Sequence, residues 1–268
     1  MIGSALNVLA STTIAAGAAF AGAVPSPGKW LGAKLDRFCA PATDSMGWST
    51  IPVDANRNYF YTKRVQRALA QRSTAYNAFK WSFDKAFAAS ALIATAPLLA
   101  ASGAAIRLTA GGPILFVQER IGKDSMPFDV YKLRTMHVGS EELGTYTASE
   151  GDPRVTRVGK FLRRYRFDEL PQFINVLIGD MSMIGPRPDA LDMVRMKVEA
   201  NDGFNARHLA KPGITGWAQV REVYVNEDMT RLELQVHDDI FGITNASVLL
   251  DLEVVLRTAW TIFAGRGN

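Results

Sequence analysis

An uncharged stretch of 21 residues, 86–106, limits the folds open to this chain more than any other feature. As an α-helix that rises about 1.5 Å per residue, it is long enough to cover roughly 30 Å of hydrocarbon. Pro97 lies near its middle, where proline removes a backbone hydrogen bond and favours a kink. Nearby hydroxyls at Ser90, Thr95 and Ser102 are available to the freed carbonyls. The stretch therefore predicts a membrane helix with a break, and a buried helix with a proline break is the alternative.

The charges on the two flanks predict how this segment would enter a bilayer. Residues 29–80 contain nine Lys or Arg and three Asp, and this net charge of +6 resists translocation under the positive-inside rule. Both flanks are therefore predicted to be cytoplasmic, so the segment should enter the membrane, bend at Pro97 and return. A topology with two spans, at residues 2–24 and 86–106, is the competing prediction.

The composition restricts the remaining choices. A chain of 268 residues suits one sizeable domain with an appended segment, and a net charge of +4 suits an anionic partner. The single cysteine, Cys39, excludes an internal disulfide, and the three widely spaced histidines disfavour a zinc site, so carboxylate ligands would favour magnesium. Residues 1–28 are uncharged and lack the basic start of a signal peptide, which favours a weakly ordered tail or helix.

Several common motifs are absent from the sequence. The chain has no GxxxxGK[ST] loop, no GxGxxG after a strand and no GxSxG elbow, which disfavours P-loop, Rossmann and serine-hydrolase functions. Its cations lie among Gly-Pro turns without a recognised nucleic-acid-binding fold, so we expect no nucleic-acid partner.

Two adjacent carboxylates, Asp168 and Glu169, are the strongest candidates for catalysis. They follow six cations that fall within thirteen residues: Arg154, Arg157, Lys160, Arg163, Arg164 and Arg166. This density of positive charge can hold a phosphorylated ligand against a carboxylate that serves as nucleophile, base or metal ligand. Taken alone, Asp168 would be an ordinary helix N-cap ahead of Pro171.

Other segments contain cations that could belong to such a site. Residues 112–136 have the pattern of a β-hairpin, with Lys132 and Arg134 on one face of its second strand. Arg187 is held between two prolines and would lose little entropy on binding phosphate. Lys211 opens a rigid glycine-rich turn whose backbone N–H groups can bind oxyanions. An ordinary solvated strand face and surface turns are the alternatives.

The last long apolar pattern, at residues 248–263, predicts an amphipathic helix. Packing against the core is the favoured interpretation of its apolar face. A helix that ends in Trp and Arg also suits the headgroup layer of a membrane, so this second interpretation stays open.

Seven short runs, in order along the chain, carry a resemblance to a known family. They are FDK at 83–85, QERIG at 118–122, YKLRTM at 131–136, DPRVTR at 152–157, DELPQ at 168–172, GPRP at 185–188 and PGITG at 212–216. From about residue 80 to its C-terminus, the chain resembles the bacterial sugar transferases, also called monotopic phosphoglycosyl transferases. The family is similar in having a re-entrant helix that enters the cytoplasmic leaflet.

The resemblance implies an activity and two substrates. The chain would transfer a sugar 1-phosphate from a UDP-sugar to a polyprenyl phosphate such as undecaprenyl phosphate, release UMP and initiate a cell-surface glycan such as an exopolysaccharide. Asp168 looks like the nucleophile that forms an aspartyl-phosphosugar and a ligand of Mg²⁺, with Glu169 as its orienting or proton-handling partner. The protein would then lie in the inner membrane of a bacterium, with its catalytic domain on the cytoplasmic face.

The resemblance also assigns phosphate-binding residues, with some departures from the family pattern. Arg163 and Arg187 match phosphate-binding positions, and Lys132 is expected near them. Lys211 stands where arginine is usual, Ala96 replaces the serine before Pro97, and residues 221–223 replace an Asn-Gly-Arg run that we associate with the choice of sugar.

The predicted fold is α+β and mostly helical. It combines a re-entrant membrane helix–break–helix kinked at Pro97, a β-hairpin and a compact cytoplasmic catalytic domain with amphipathic interfacial helices. Its expected divisions are an N-terminal extension of unknown role at 1–79, a membrane segment at 80–107 and a phosphoglycosyl transferase domain at 108–268. A homodimer is left open. A Mg²⁺-dependent nucleotide-sugar hydrolase and a non-catalytic membrane scaffold of polysaccharide assembly are the alternative functions.

Overall fold

A computed structural model of the chain describes residues 55–140, 152–221 and 231–263. The predictions for the uncharged tail, the competing first span, Cys39 and residues 222–223 lie outside the described residues. The described α-helices are α1 (Ala55–Gln71), α2 (Thr74–Ala110), α3 (Arg157–Arg164), α4 (Gln172–Ile178), α5 (Leu191–Ala200), α6 (Trp217–Val220), α7 (Leu232–Thr244) and α8 (Val248–Phe263). The described strands are β1 (Leu115–Ile121), β2 (Pro127–Leu133), β3 (Ser182–Ile184) and β4 (Gly213–Thr215). This mostly helical arrangement with two small sheets confirms the α+β class.

The long helix α2 contains the uncharged segment. Ser73 caps its start by accepting a hydrogen bond from the backbone N–H of Ala75, and Gly111 ends it in a left-handed conformation with φ of 67°. Its most apolar 18-residue window has a mean hydropathy of 1.7 and is only 17% buried, whereas the core helix of a soluble protein is mostly buried. By length and composition, α2 is therefore able to cross a membrane.

Pro97 lies inside α2, which is continuous over 37 residues, so the predicted break at Pro97 is not confirmed. Proline cannot donate to the carbonyl of Ile93 one turn earlier. The hydroxyl of Thr95 donates to the carbonyl of Ala91 at 2.7 Å, so it does not replace that missing donor.

The first half and the last turns of α2 pack against the rest of the protein, and part of the uncharged segment between them is exposed. In the first half, Ala88 is fully buried in a cluster that includes Val130 of β2. Near its end, Ile106 is buried with Leu133 of the same strand. Between them, Ile93 is 71% exposed. The exposed apolar residues of α2 are thus available for contact with lipid.

The first sheet is the predicted hairpin. Strands β1 and β2 pair antiparallel from Leu115 opposite Leu133 to Ile121 opposite Pro127. Because side chains alternate along a strand, Lys132 shares a face with the buried Phe128 and Val130. Arg134 lies beyond the end of β2, where its guanidinium donates to the carbonyl of Pro113, so Arg134 is not the second cation of a strand face.

One side chain fixes helix α4 to this hairpin. Asn175 is fully buried; its Oδ1 accepts from the backbone N–H of Tyr131 at 3.1 Å, and its Nδ2 donates to the carbonyl of Asp129 at 2.6 Å. Both partners are backbone groups of β2, so the register between α4 and β2 is set by paired polar groups as well as by packing.

The second sheet holds the loop that contains Arg187. Strands β3 and β4 are parallel, with Ser182 opposite Gly213 and Ile184 opposite Thr215. A Cβ atom on Gly213 would collide with the backbone of Gly185, so glycine is required there for the two segments to meet.

The largest cluster of buried apolar residues includes a helix from the N-terminal extension. Val65 of α1 is fully buried with Phe204, Val236 and Ile240. Phe204 belongs to a 3₁₀ segment, Asp202–Leu209, against which α1 lies. Helix α1 is therefore part of the same core as the predicted catalytic domain.

The C-terminal helix α8 is apolar on two faces. Val254 is buried against the core, and the hydroxyls of Thr258 and Thr215 lie 2.7 Å apart. Leu249 and Trp260 are 80% and 72% exposed. Packing against the core accounts for one face, and the exposed face keeps the membrane interpretation open.

Candidate active site

The two candidate carboxylates lie in a tight turn. A 3₁₀ turn, Phe167–Glu169, follows α3, and it is preceded by Arg166 in a left-handed conformation with φ of 56°. Helix α4 begins only at Gln172, and no side chain caps it. Asp168 is therefore not an N-cap, and the ordinary structural explanation for this residue is wrong.

Glu169 is held in its ionised form by cations. Its Oε1 accepts from Nη2 of Arg187 at 2.9 Å and lies 3.8 Å from Nη1 of Arg166. Burial raises the pKa of Glu169, but Arg187, Lys132 and Arg166 together lower that pKa to about 2. At neutral pH this residue is thus a fixed anion that orients Arg187.

Asp168 has the opposite character. Burial and, next, the negative charge of Glu169 raise the pKa of Asp168, although Lys132, Arg163 and Arg166 act to lower it. Neighbouring carboxylates whose environments push their pKa values apart are a feature of catalytic sites. The two residues therefore differ in their pKa values, and the pKa of Asp168 is the one that a further cation or a substrate would shift most.

Two predicted phosphate-binding cations face this pair. Lys132 lies on β2, and burial, followed by the charge of Arg187, lowers its pKa to about 8. Arg163 of α3 donates from Nε to the hydroxyl of Thr135 at 2.8 Å and senses the charge of Asp168. The structure thus brings Lys132, Arg163 and Arg187 together around Asp168 and Glu169.

The close approach of α3 to this site depends on a glycine. A Cβ atom on Gly159 of α3 would collide with the carbonyl of Thr135. Thr156 caps α3 by accepting a hydrogen bond from the backbone N–H of Gly159 at 2.8 Å. With no side chain at position 159, α3 can lie against residue 135 and present Arg163 to that hydroxyl.

Lys211 lies elsewhere in the structure. It is exposed near Gly179, at the opposite end of α4 from Asp168, and the ammonium of Lys85 is its neighbour. Lys85 itself donates to the carbonyls of Val176 and Leu177. Lys211 thus lies apart from the group around Asp168, and its phosphate-binding role stays a prediction.

Sequence reasoning missed several residues that shape the site. In the sequence, Arg166 stands out only as one of six cations and Thr135 only as part of a motif. Arg207 donates from Nη2 to the carbonyl of Arg187 at 2.6 Å, and no local pattern in the sequence connects these two residues. The contact is visible only in the tertiary structure, because spacing in the sequence does not encode which distant residues meet.

The carboxylates fit a magnesium ion better than a metal held by protein ligands alone. Over residues 55–140, 152–221 and 231–263, no group of three or more His, Cys, Asp or Glu converges to hold a metal. Mg²⁺ commonly binds through one or two carboxylates together with substrate phosphates and water. Asp168, with Glu169 beside it, supplies such oxygen ligands.

Comparison with known proteins adds a family and several relatives. The model of the family described as bacterial sugar transferase matches residues 75–265. Over 196 residues, the chain is 42% identical to a UDP-N-acetylgalactosamine-undecaprenyl-phosphate N-acetylgalactosaminephosphotransferase of Aeromonas hydrophila, a match covering 73% of this chain and 46% of that protein.

Two further relatives carry a different sugar in their names. Over 176 residues, the chain is 40% identical to a UDP-glucose:undecaprenyl-phosphate glucose-1-phosphate transferase of Escherichia coli K12, covering 65% of this chain and 38% of that protein. A protein of the same name from Caulobacter vibrioides is 44% identical over 164 residues, with 61% of each chain covered. The chain thus spans less than half the length of the first two relatives and about three-fifths of the third.

Proposed function

The chain belongs to the bacterial sugar transferase family, and from this premise we propose that it transfers a sugar 1-phosphate from a UDP-sugar to polyprenyl phosphate through a covalent intermediate on Asp168. The observation that carries the proposal is the unequal carboxylate pair, in which Glu169 is fixed by Arg187 and Asp168 lies among Lys132, Arg163 and Arg166. The relatives named above act on UDP-sugars and undecaprenyl phosphate, which supports this pair of substrates.

In the first step, a carboxylate oxygen of Asp168 attacks the phosphorus that bears the sugar. The bond from this phosphorus to the bridging oxygen breaks, and UMP leaves with the electron pair. The phosphosugar is then bound to Asp168 as an acyl phosphate. Lys132, Arg163 and Arg187 would hold the diphosphate and stabilise the charge that develops on its oxygens.

In the second step, a phosphate oxygen of polyprenyl phosphate attacks the same phosphorus. The bond from phosphorus to Asp168 breaks, the carboxylate is regenerated, and the lipid now carries a diphosphate-linked sugar. Glu169 has a pKa of about 2 and keeps no proton at neutral pH, so orienting Arg187 is its proposed role in both steps.

We also propose that Mg²⁺ belongs to this site. Asp168 would be its main protein ligand, and when bound it would supply charge neutralisation between the carboxylate and the diphosphate.

The packing of α2 supports a re-entrant arrangement. Ala88 and Ile106 are 18 residues apart and would be separated by about 27 Å along a straight helix. Both are buried in clusters with the same strand, through Val130 and Leu133, which are about 10 Å apart along β2. A bend at the exposed middle would bring both ends to one domain on the cytoplasmic face of the bacterial inner membrane.

A panel of UDP-sugars that includes UDP-glucose and UDP-N-acetylgalactosamine tests the activity. Detergent-solubilised protein with Mg²⁺ and polyprenyl phosphate should release UMP continuously with at least one donor and form a lipid-linked product. Without lipid, UMP release should stop at about one equivalent per enzyme, because the intermediate has no acceptor. Continuous release without lipid would identify the hydrolase alternative, and no release with any donor would favour the scaffold.

Asp168→Asn tests the nucleophile. It should abolish both UMP release and transfer of donor phosphate to the protein. Asp124→Asn is a matched control, because Asp124 is an exposed carboxylate at the tip of the hairpin and asparagine tolerates its φ of 55°. Turnover that survives in Asp168→Asn would remove Asp168 from this role.

A further inference from the structure

We propose that Arg207 is a positioning residue that fixes the backbone of Arg187, so that the Arg187 guanidinium meets Glu169 in the geometry needed for the donor diphosphate. This inference rests on the proposed function, because it takes the Asp168 and Glu169 pair to be the reacting site. It adds a residue that lies outside the site and acts on the site through another residue.

Arg207 contacts the chain on both sides of Pro188, at Arg187 and at Asp189. Its Nη2 donates to the carbonyl of Arg187 at 2.6 Å, and its Nη1 donates to Oδ2 of Asp189 at 2.9 Å. These acceptors flank Pro188, so one guanidinium grips the chain immediately before and after the second proline. A planar guanidinium suits this two-point contact, since its N–H groups form a rigid fork.

Backbone hydrogen bonds hold the loop on both sides of Arg187. The backbone N–H of Gly213 donates to the carbonyl of Pro186, and that of Ile121 donates to the carbonyl of Asp189. Pro186 and Pro188 have no N–H of their own. Arg207 holds Arg187 itself through its backbone carbonyl, while the Arg187 side chain extends to Glu169.

Burial makes this grip rigid. The side chains of Arg207 and Asp189 are only 2% and 6% exposed, and Nε of Arg207 lies 3.0 Å from Oδ2 of Asp239. The guanidinium also packs 4.6 Å from the ring centre of the fully buried Phe204. A buried cation with carboxylate partners and an aromatic neighbour has few alternative positions, because leaving either carboxylate unpaired inside the protein is costly.

Lys197 provides a matched comparison for Arg207. It is a buried cation of the same cluster, and its Nζ donates to Oδ2 of Asp189 at 3.0 Å. Lys197 contacts Asp189 and the ring of Phe204, whereas Arg207 also donates to the backbone carbonyl of Arg187. Removing Lys197 should therefore perturb the stability of the cluster more than the position of Arg187.

The test compares Arg207→Met, Arg207→Lys and Lys197→Met at a temperature at which thermal unfolding shows all three to be folded. Arg207→Met should lower kcat/KM for the UDP-sugar by about 10- to 100-fold, because a displaced phosphate-binding group is costly even when the mutation is remote. Arg207→Lys keeps one hydrogen bond of the pair and should recover part of this loss. Lys197→Met should stay within about twofold of wild type.

A double-mutant cycle separates positioning from general destabilisation. If Arg207 acts through Arg187, then adding Arg207→Met to an Arg187→Met protein should cause little further loss of kcat/KM. Fully additive losses would overturn the proposal. Equal losses in Arg207→Met and Lys197→Met would also overturn it, since both variants remove a cation from the same cluster.

A second measurement does not depend on turnover. Binding of UDP, followed by calorimetry, should weaken by about 10-fold in Arg207→Met and stay within about twofold of wild type in Lys197→Met, because only the first variant displaces Arg187. If wild-type protein releases no UMP but this difference is found, the positioning role stands and the proposed reaction fails. Unchanged UDP binding in Arg207→Met overturns the positioning role whatever the activity.

Discussion

Nη2 of Arg187 lies 2.9 Å from Oε1 of Glu169, so the second carboxylate of the DELPQ run is bound by the arginine of the GPRP run, 18 residues later. This contact gives the two carboxylates separate roles. Glu169 uses its charge to hold a cation in place, whereas burial and the neighbouring charge of Glu169 raise the pKa of Asp168. The pair is thus an anchor and a reactive group rather than two equivalent acids.

Arg187→Met should raise the pKa of Glu169 and lower kcat/KM. Burial raises the pKa of Glu169, and without Arg187 less charge opposes that effect, so the pKa should rise from its value of about 2. In wild type, a pKa below the ordinary 4.5 stabilises the folded state above about pH 4.5, and this contribution is lost as the pH falls towards 2. The variant should lose this acid dependence in urea unfolding from pH 5 to pH 3, together with at least about 100-fold in kcat/KM. A profile that matches wild type would contradict the assigned contact.

Lys132 should set the alkaline limit of activity. Burial and the charge of Arg187 lower its pKa from 10.5 to about 8, so the ammonium loses its proton as the pH rises through about 8. If this cation binds the diphosphate, kcat/KM should fall above that pH. Lys132→Arg should move the fall to higher pH because arginine stays charged, and Lys132→Met should be weakly active without an alkaline fall. The pH profile of UMP release from pH 6 to pH 10 measures this, and an unchanged profile in Lys132→Arg would exclude the role.

Removal of divalent metal should stop the reaction. Asp168 and Glu169 offer oxygen ligands, which favour Mg²⁺ over Zn²⁺. UMP release should be lost in EDTA, restored by excess Mg²⁺ and not restored by Zn²⁺ at the same free concentration. Metal analysis of the EDTA-treated protein is the control, and full activity in protein shown to be metal-free would contradict the magnesium proposal.

Asn175→Ala should destabilise the joint between α4 and β2. Its amide makes two hydrogen bonds to the backbone of β2, and the substitution leaves the N–H of Tyr131 and the carbonyl of Asp129 without these partners. We expect a loss of about 3 kcal/mol in the free energy of unfolding. Leu177→Ala on the same helix is the control, since Leu177 is 36% exposed and should cost less. Equal losses in the two variants would show that the hydrogen bonds contribute little.

Single cysteines at both ends of α2 test the re-entrant arrangement. In a Cys39→Ser background, which has no other cysteine, Ser73→Cys precedes the helix and Thr109→Cys lies in its last turn, and both positions are exposed. If both ends are cytoplasmic, a membrane-impermeant maleimide should label neither in intact cells and both after permeabilisation. Labelling of one position alone in intact cells would show that α2 crosses the membrane.

Local patterns in the sequence predicted several elements well. The hairpin at residues 112–136 follows from two β-type runs around Gly122 and Pro127, because strand alternation and turn residues act over a few positions. The apolar helix was visible for the same reason. The continuity of this helix through Pro97 was not visible, since a single proline permits either a kink or a break in a helix.

By itself, the sequence determined the chemical groups of this protein: an apolar helix, two adjacent carboxylates, and the cations at Lys132, Arg163 and Arg187. The tertiary structure decided which of them meet. It paired Glu169 with Arg187, left Lys211 at the other end of α4 and placed Arg207 behind the Arg187 loop. Pairings of this kind depend on burial and on contacts between distant segments, which raise or lower each pKa according to the surroundings and not according to the residue type.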